Sequence, residues 1–214
     1  AAKERKKLSK QEIDSMMLYV GYEKLRLEND KLIKQYPQTK IDFNAIAQGY
    51  TTDQISNYLK RNNINQHIVD VGGEVFASGK KPDGQQWRVA IEEPSKDMYA
   101  EREYNSFIKL ENKSIVTSGN YRKYIEDDGI RLSHTINPKT GYSVSHNLLS
   151  VSVIAQDATT ADGLATAFMV MGKEKAEEFL NTHPEYDAIF SYSTKKAEIE
   201  TSHTKNLDQI LEFV

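Results

Sequence analysis

Asp162 and Thr166 stand four residues apart in a stretch where Leu164, Ala165, Phe168 and Met169 recur at helical spacing. Both side chains therefore project from one helix face. A carboxylate and a hydroxyl beside an apolar stripe are hard oxygen donors of the kind Mg²⁺ takes. The pair also has a plainer reading, an Asp near a helix start serving the dipole and a Thr bonded to the carbonyl one turn back. A second group is Ser133-His134-Thr135-Ile136-Asn137-Pro138-Lys139-Thr140-Gly141, a strand end running into a Pro-containing turn. His134 is either a general base near neutral pH or a half-buried side chain tied to a turn carbonyl.

Two glycine-bearing segments read as turns whose N–H groups can approach a phosphate: Val71-Gly72-Gly73 and Thr117-Ser118-Gly119-Asn120-Tyr121. Ordinary turns use the same residues. Neither matches a Walker loop or a G-x-G-x-x-G fingerprint, which argues against a P-loop or Rossmann site. The block at 41–50 joins an apolar strand end to a helix start. In it Asp42 can accept from a ligand amine or hydroxyl, and the Ala45 carbonyl is free if the chain is irregular there. The other histidines, His67, His146, His183 and His203, show no metal-ligand spacing.

These residues need elements to hold them. Ser9-Lys10-Gln11-Glu12 has the form of a capping box, with Ile13, Met16, Met17 and Val20 behind it, predicting a helix over 10–20. Residues 22–37 are charged and read as exposed strand or loop. A second helix is predicted over 47–62 with Ile55, Tyr58 and Leu59 facing inward. Strands follow at 67–71, 75–77, 87–93, 106–110, 114–117, 131–135 and, most strongly, 148–155. Helices at 159–171 and 173–181 precede a closing hairpin at 188–193 and 197–201. Strand runs without a β-α-β rhythm indicate an α+β fold, a mixed but mainly antiparallel sheet packed with helices in a single domain.

Bulk properties exclude several classes. The 214 residues are 38% hydrophobic and 28% charged with net charge −3, and no apolar run is long enough to span a bilayer. Lys and Arg are scattered, so no basic stripe points to nucleic acid, and the charged run at 3–7 reads as a solvated end. Zero cysteines remove disulfides, thiolate metal sites and thiol nucleophiles. The chain opens Ala1-Ala2 without Met, the expectation being a processed or truncated piece.

Taken in order, six blocks resemble the FAD:protein FMN transferase family, the ApbE-type flavin transferases. They are 41–50 with Asp53, Val71-Gly72-Gly73-Glu74, Trp87-Arg88-Val89-Ala90-Ile91, 117–122, 134–141 and Ala161-Asp162-Gly163-Leu164-Ala165-Thr166. The resemblance runs from Ser9 nearly to the end and corresponds to the carboxy-terminal two-thirds of such a protein. It implies an Mg²⁺-dependent enzyme that moves FMN from FAD onto a Thr or Ser hydroxyl of an acceptor protein, releasing AMP. By position, the metal falls to Asp162, Thr166 and the carbonyls of Ala45 and Ala165, the last requiring a local break in its helix. Asp42, Gln48 and Ile136 fall where the family contacts FAD, and His134 on its catalytic histidine.

Gln48 departs from the Lys or Glu common in the family. The resemblance also implies an acceptor subunit of a membrane redox complex and an extracytoplasmic location, with a lipid anchor outside this chain. The alternatives are a metal-dependent FAD pyrophosphatase using the same site with water, and a non-catalytic flavin-binding protein.

Overall fold

The computed structural model describes residues 8–94, 104–120, 124–127, 130–133, 135–196 and 198–213. His134, Tyr121, Arg122 and the charged run at 3–7 lie outside these. Helix α1 (Lys10–Met17) begins with the predicted capping box. The Ser9 hydroxyl accepts the Glu12 N–H at 3.3 Å, and the Glu12 carboxylate accepts the Ser9 N–H at 2.8 Å. The charged segment behind it forms an exposed hairpin, β1 (Leu25–Glu28) and β2 (Lys31–Lys34), turned by Asn29 and Asp30 at positive φ.

After α2 (Ala47–Arg61) come β3 (His67–Val71), β4 (Glu74–Ser78), β5 (Trp87–Glu92), β6 (Tyr104–Leu110) and β7 (Lys113–Gly119). Then follow β8 (Tyr124–Asp127), β9 (Ile130–Ser133), β10 (Leu148–Ala155), α3 (Ala158–Met171) and α4 (Lys173–Thr182). The last strands are β11 (Asp187–Ser193), β12 (Ile199–His203) and β13 (Leu211–Phe213). Strands β12-β11-β10-β7-β4-β3 form a six-stranded sheet and β13-β6-β5 a three-stranded one. Each described pairing is antiparallel. This is the α+β architecture the sequence predicts, with β8 and β13 added to it.

Strand β10 shows why its sequence is apolar almost throughout. Val151, Val153 and Ala155 face α3 and α4, packing with Phe168, Met169, Ala176 and Leu180. Ile154 faces the other way, toward Ile108, Leu110, Ile189 and Leu211. A bulge between Leu148 and Ser150 breaks the alternation and lets Leu148 join the first cluster.

Helix α2 lies against α3 on a face rotated from the one predicted. Gly49, Thr52 and Ser56 are buried, whereas Ile55 and Tyr58 are 40% and 61% exposed and Leu59 is half-buried. Close approach decides the orientation. A Cβ at Gly49 would sit 2.3 Å from the Ala158 carbonyl oxygen and 2.8 Å from the Asp162 Cβ. The buried hydroxyls have partners: Thr52 donates to the Gln48 and Glu74 carbonyls at 3.0 and 3.1 Å, and Ser56 bonds His67 Nε2 at 2.8 Å. Gly49→Ala should therefore wedge the helices apart and cost about 1–3 kcal/mol. Urea denaturation checks this; an unchanged midpoint would mean that the helices do not pack this tightly in solution.

Candidate active site

Asp162 is 5% exposed and sits too far into α3 to serve that helix's own N-terminus. Other carboxylates do that. Asp157 is the N-cap and accepts the Thr160 N–H at 2.7 Å. Asp53, reaching across from α2, accepts the Ala158 and Thr159 N–H groups at 2.8 Å each. Asp162 instead crosses to α2, where its Oδ2 accepts the Gly49 N–H at 3.0 Å.

That bond has a second effect. Were the helix continuous through Ile46, the Gly49 amide would bond the Ala45 carbonyl four residues back; Ile46 is instead the N-cap at φ −145°, and Gly49 lies in the first turn. Ala47 N–H bonds Phe43 O at 2.8 Å and Tyr50 N–H bonds Ile46 O at 2.8 Å, whereas the Gln48 amide makes no bond to the Asn44 carbonyl among the described residues. With the Gly49 amide taken by Asp162, no hydrogen bond reaches the Ala45 carbonyl among the described residues. The Thr166 hydroxyl, half-buried on the same face of α3 as Asp162, likewise makes none among them. Thr51 and Thr52 show the usual alternative, bonding carbonyls one turn back at 2.8 and 3.0 Å.

A free carbonyl, a free hydroxyl and the second Asp162 oxygen form a hard-oxygen donor set suited to Mg²⁺. Among the described residues no three His, Cys, Asp or Glu side chains cluster as a metal site. A cation here must therefore rely on carbonyl and hydroxyl oxygens. Ala165 does not join them: α3 runs unbroken through it, so the local break that its carbonyl would need is absent.

Gln48 ties this corner to the sheet. Its Nε2 donates to Glu74 Oε2 at 3.1 Å and toward the Val71 carbonyl at 3.5 Å, beside the two-residue turn of Gly72 (φ 69°) and Gly73 (φ 109°). A Cβ on Gly72 would lie 2.4 Å from that same nitrogen. Glu74 is buried, and burial is the main reason its carboxyl is pushed up from 4.5 to about 7. A hydrogen bond with its own backbone works against this, and the charges of Asp162 and Asp70 add to it. Burial also raises Asp162, partly offset by the Gly49 N–H. Two carboxylates held above their ordinary range beside unpartnered oxygens make a site that favours a cation. The sequence reading gave Glu74 no role. Its signal was an acid opening the apolar run Val75-Phe76-Ala77.

Ala45, Gln48, Gly72, Gly73 and Asp162 thus come together. Thr117 lies across a cleft of about 560 Å³, also lined by Asp70, Gly72, Gly73, Arg88 and Tyr104. Thr117, Ser118 and Gly119 form no turn; they continue β7, pairing with Ser152, Val151 and Ser150 of β10. β7 bonds β4 only from Lys113 to Ile115, so its edge beyond that point is unpaired by β4. Asp42 stands apart in an Asx turn, its Oδ1 accepting the Asn44 N–H at 2.7 Å, and lines a separate cavity with Tyr19 and Tyr22. Ile136 is exposed and bridges Ser143 in a loop whose Gly141 packs on Ile13 and Met17 of α1.

The raised Glu74 carboxyl makes a prediction with a definite sign. Between about pH 4.5 and 7 the folded state holds the Glu74 proton more tightly than the unfolded state, so stability falls as pH rises through that window. In cation-free protein the urea midpoint should decline from pH 5 to 8, and Glu74→Gln should flatten that decline. An identical slope in the variant would show that Glu74 ionises freely.

Comparison with known proteins gives these residues a family. The ApbE family model matches residues 1–190. The FAD:protein FMN transferase of Haemophilus influenzae is 40% identical over 164 residues, covering 75% of this chain and 47% of that protein. That of Vibrio cholerae is 39% identical over 165 residues, 77% of this chain and 48% of that protein. The chain thus spans about half the length of the curated relatives it matches. Among solved structures, the apo form of Pseudomonas stutzeri flavinyl transferase ApbE superposes with TM-score 0.84 at 34% identity, over 97% of this chain and 62% of that one. The Vibrio cholerae flavin transferase ApbE gives 0.83 at 31% identity, over 98% and 65%. The chain belongs to the ApbE family.

Proposed function

We propose that this chain carries the metal-binding and part of the flavin-binding machinery of an FAD:protein FMN transferase. Such an enzyme moves FMN from FAD to a Thr or Ser hydroxyl of an acceptor protein. The observation that carries the reading is the Asp162 bond to the Gly49 amide, at a helix start where the Ala45 carbonyl accepts no hydrogen bond and the Thr166 hydroxyl makes none among the described residues. Asp162, Thr166 and Ala45 would hold Mg²⁺, whose charge stabilises the oxygens of a reacting pyrophosphate.

The remaining chemistry falls to the chain and its substrates. The acceptor oxygen bonds to the FMN phosphorus while the bond from that phosphorus to the bridging oxygen breaks, and AMP leaves with that oxygen and its electron pair. The acceptor proton goes to a base; the family resemblance assigns His134, outside the described residues, to that role. The unpaired edge of β7 at Thr117, Ser118 and Gly119, with the Gly72-Gly73 turn opposite, supports the entry of a phosphate-bearing ligand into the cleft. The acceptor we propose is a flavoprotein subunit of a membrane redox complex, met at an extracytoplasmic face. Among the described residues no helix is long and apolar enough to cross a membrane.

The test is FAD turnover with and without Mg²⁺, followed by chromatography, with a Thr-bearing acceptor peptide and an Asp162→Asn variant. Asn keeps an oxygen for the Gly49 amide but loses the charge, so folding should survive. Loss of several kcal/mol of transition-state stabilisation lowers turnover by about a hundredfold or more. Flavin on the peptide and Mg²⁺-dependent AMP release, both lost in the variant, would establish the transferase. AMP release with bare FMN would mean a pyrophosphatase, and FAD left intact a binding protein.

A further inference from the structure

A trough of about 440 Å³ runs between the loop carrying Ile136 and the C-terminal end of α3. Val144, Val170 and Met171 give it apolar surface, Asn137, Thr140 and Ser143 supply polar groups, and Lys139 and Lys175 bring charge. No Asp or Glu lines it. Neither lysine forms an ion pair or hydrogen bond through its side chain among the described residues. Lys173 nearby contrasts with them, pairing with Glu177 at 2.7 Å and lying over the Tyr192 ring. Glu174 and Glu178, exposed on α4, stay outside the lining. In a protein of net charge −3, a carboxylate-free trough with two unpaired lysines is a local reversal of sign.

The mixture of surfaces separates the possible occupants. A free phosphate is best held by guanidinium forks or clustered backbone amides, and gains nothing from a wall of Val and Met. A peptide uses both parts, setting an apolar side chain on Val170 and Met171 while its carboxylates meet the lysines. The trough also shares its loop with the site: Asn137, bonded to the Tyr142 carbonyl at 2.8 Å, follows directly on Ile136, the expected flavin contact. We infer that this trough docks an acidic segment of the acceptor protein, with Lys139 and Lys175 reading its carboxylates. The identity of the partner rests on the flavin-transfer reading.

Two synthetic peptides test it, one with a Thr flanked by two Asp and an apolar residue, the other with Asn for each Asp. Fluorescence anisotropy at low ionic strength should show the acidic peptide binding about tenfold tighter, with the advantage fading as salt is added. The double variant Lys139→Glu, Lys175→Glu should remove that preference while leaving the far-ultraviolet circular dichroism of the fold unchanged. Equal affinity for both peptides, absence of binding, or an undiminished preference in the variant would overturn the inference. Flavin transfer is read separately in the same samples, so Lys-dependent binding without transfer would count against the enzymatic reading and not against the trough.

Discussion

The hydrogen bond between the Gly49 amide and the Asp162 carboxylate joins the fold to the candidate chemistry. A carboxylate that is 5% exposed loses most of its hydration, and one N–H compensates only in part. The remainder of its demand is what a cation would satisfy. The same bond keeps the Gly49 amide from the Ala45 carbonyl, which accepts no hydrogen bond among the described residues. None of this works at ordinary interhelical spacing, because a Cβ at Gly49 would strike the Ala158 carbonyl. The glycine, the acid and the free carbonyl form one device.

A reciprocal contact holds that device in place. Asp53 of α2 accepts the first amides of α3, while Asp162 of α3 accepts an amide in the first turn of α2. Each helix thus caps the other with a carboxylate at its positive end. The arrangement fixes both spacing and rotation, since sliding either helix by one residue would break both contacts. It also explains the small buried face of α2. Gly49, Thr52 and Ser56 bring backbones together and satisfy their own hydroxyls, which larger apolar side chains would prevent.

That face marks where sequence reasoning stopped. Strands such as β10 and β4 were legible because a nearly continuous apolar run has few alternatives in an antiparallel sheet buried on both sides. Helix positions were legible from caps, as Ser9 and Glu12 show. The rotation of α2 was not, because Ile55 and Tyr58 outweigh a Gly, a Thr and a Ser in any count of hydrophobicity, while close packing favours the small residues. Thr117-Ser118-Gly119 carries turn-forming residues but pairs with Ser152, Val151 and Ser150 of β10 as strand, a choice made by a partner far away in sequence. Asp162 and Thr166 were placed correctly on one face; what they face, a glycine amide from another helix, is long-range information.

Gln48 fits its surroundings as a neutral group. Its amide meets Glu74, whose carboxyl is protonated about half the time near pH 7. A Lys at 48 would hold Glu74 ionised and reduce the local negative field; a Glu would add a third carboxylate beside Glu74 and Asp162. An amide does neither, because it can donate to the ionised form or accept from the protonated one. The net charge of the corner then follows pH and cation occupancy. On the proposed reading, a donor set with one formal charge, from Asp162, leaves part of a divalent cation's charge for phosphate oxygens. Cation and nucleotide would therefore each strengthen the binding of the other, as linkage requires.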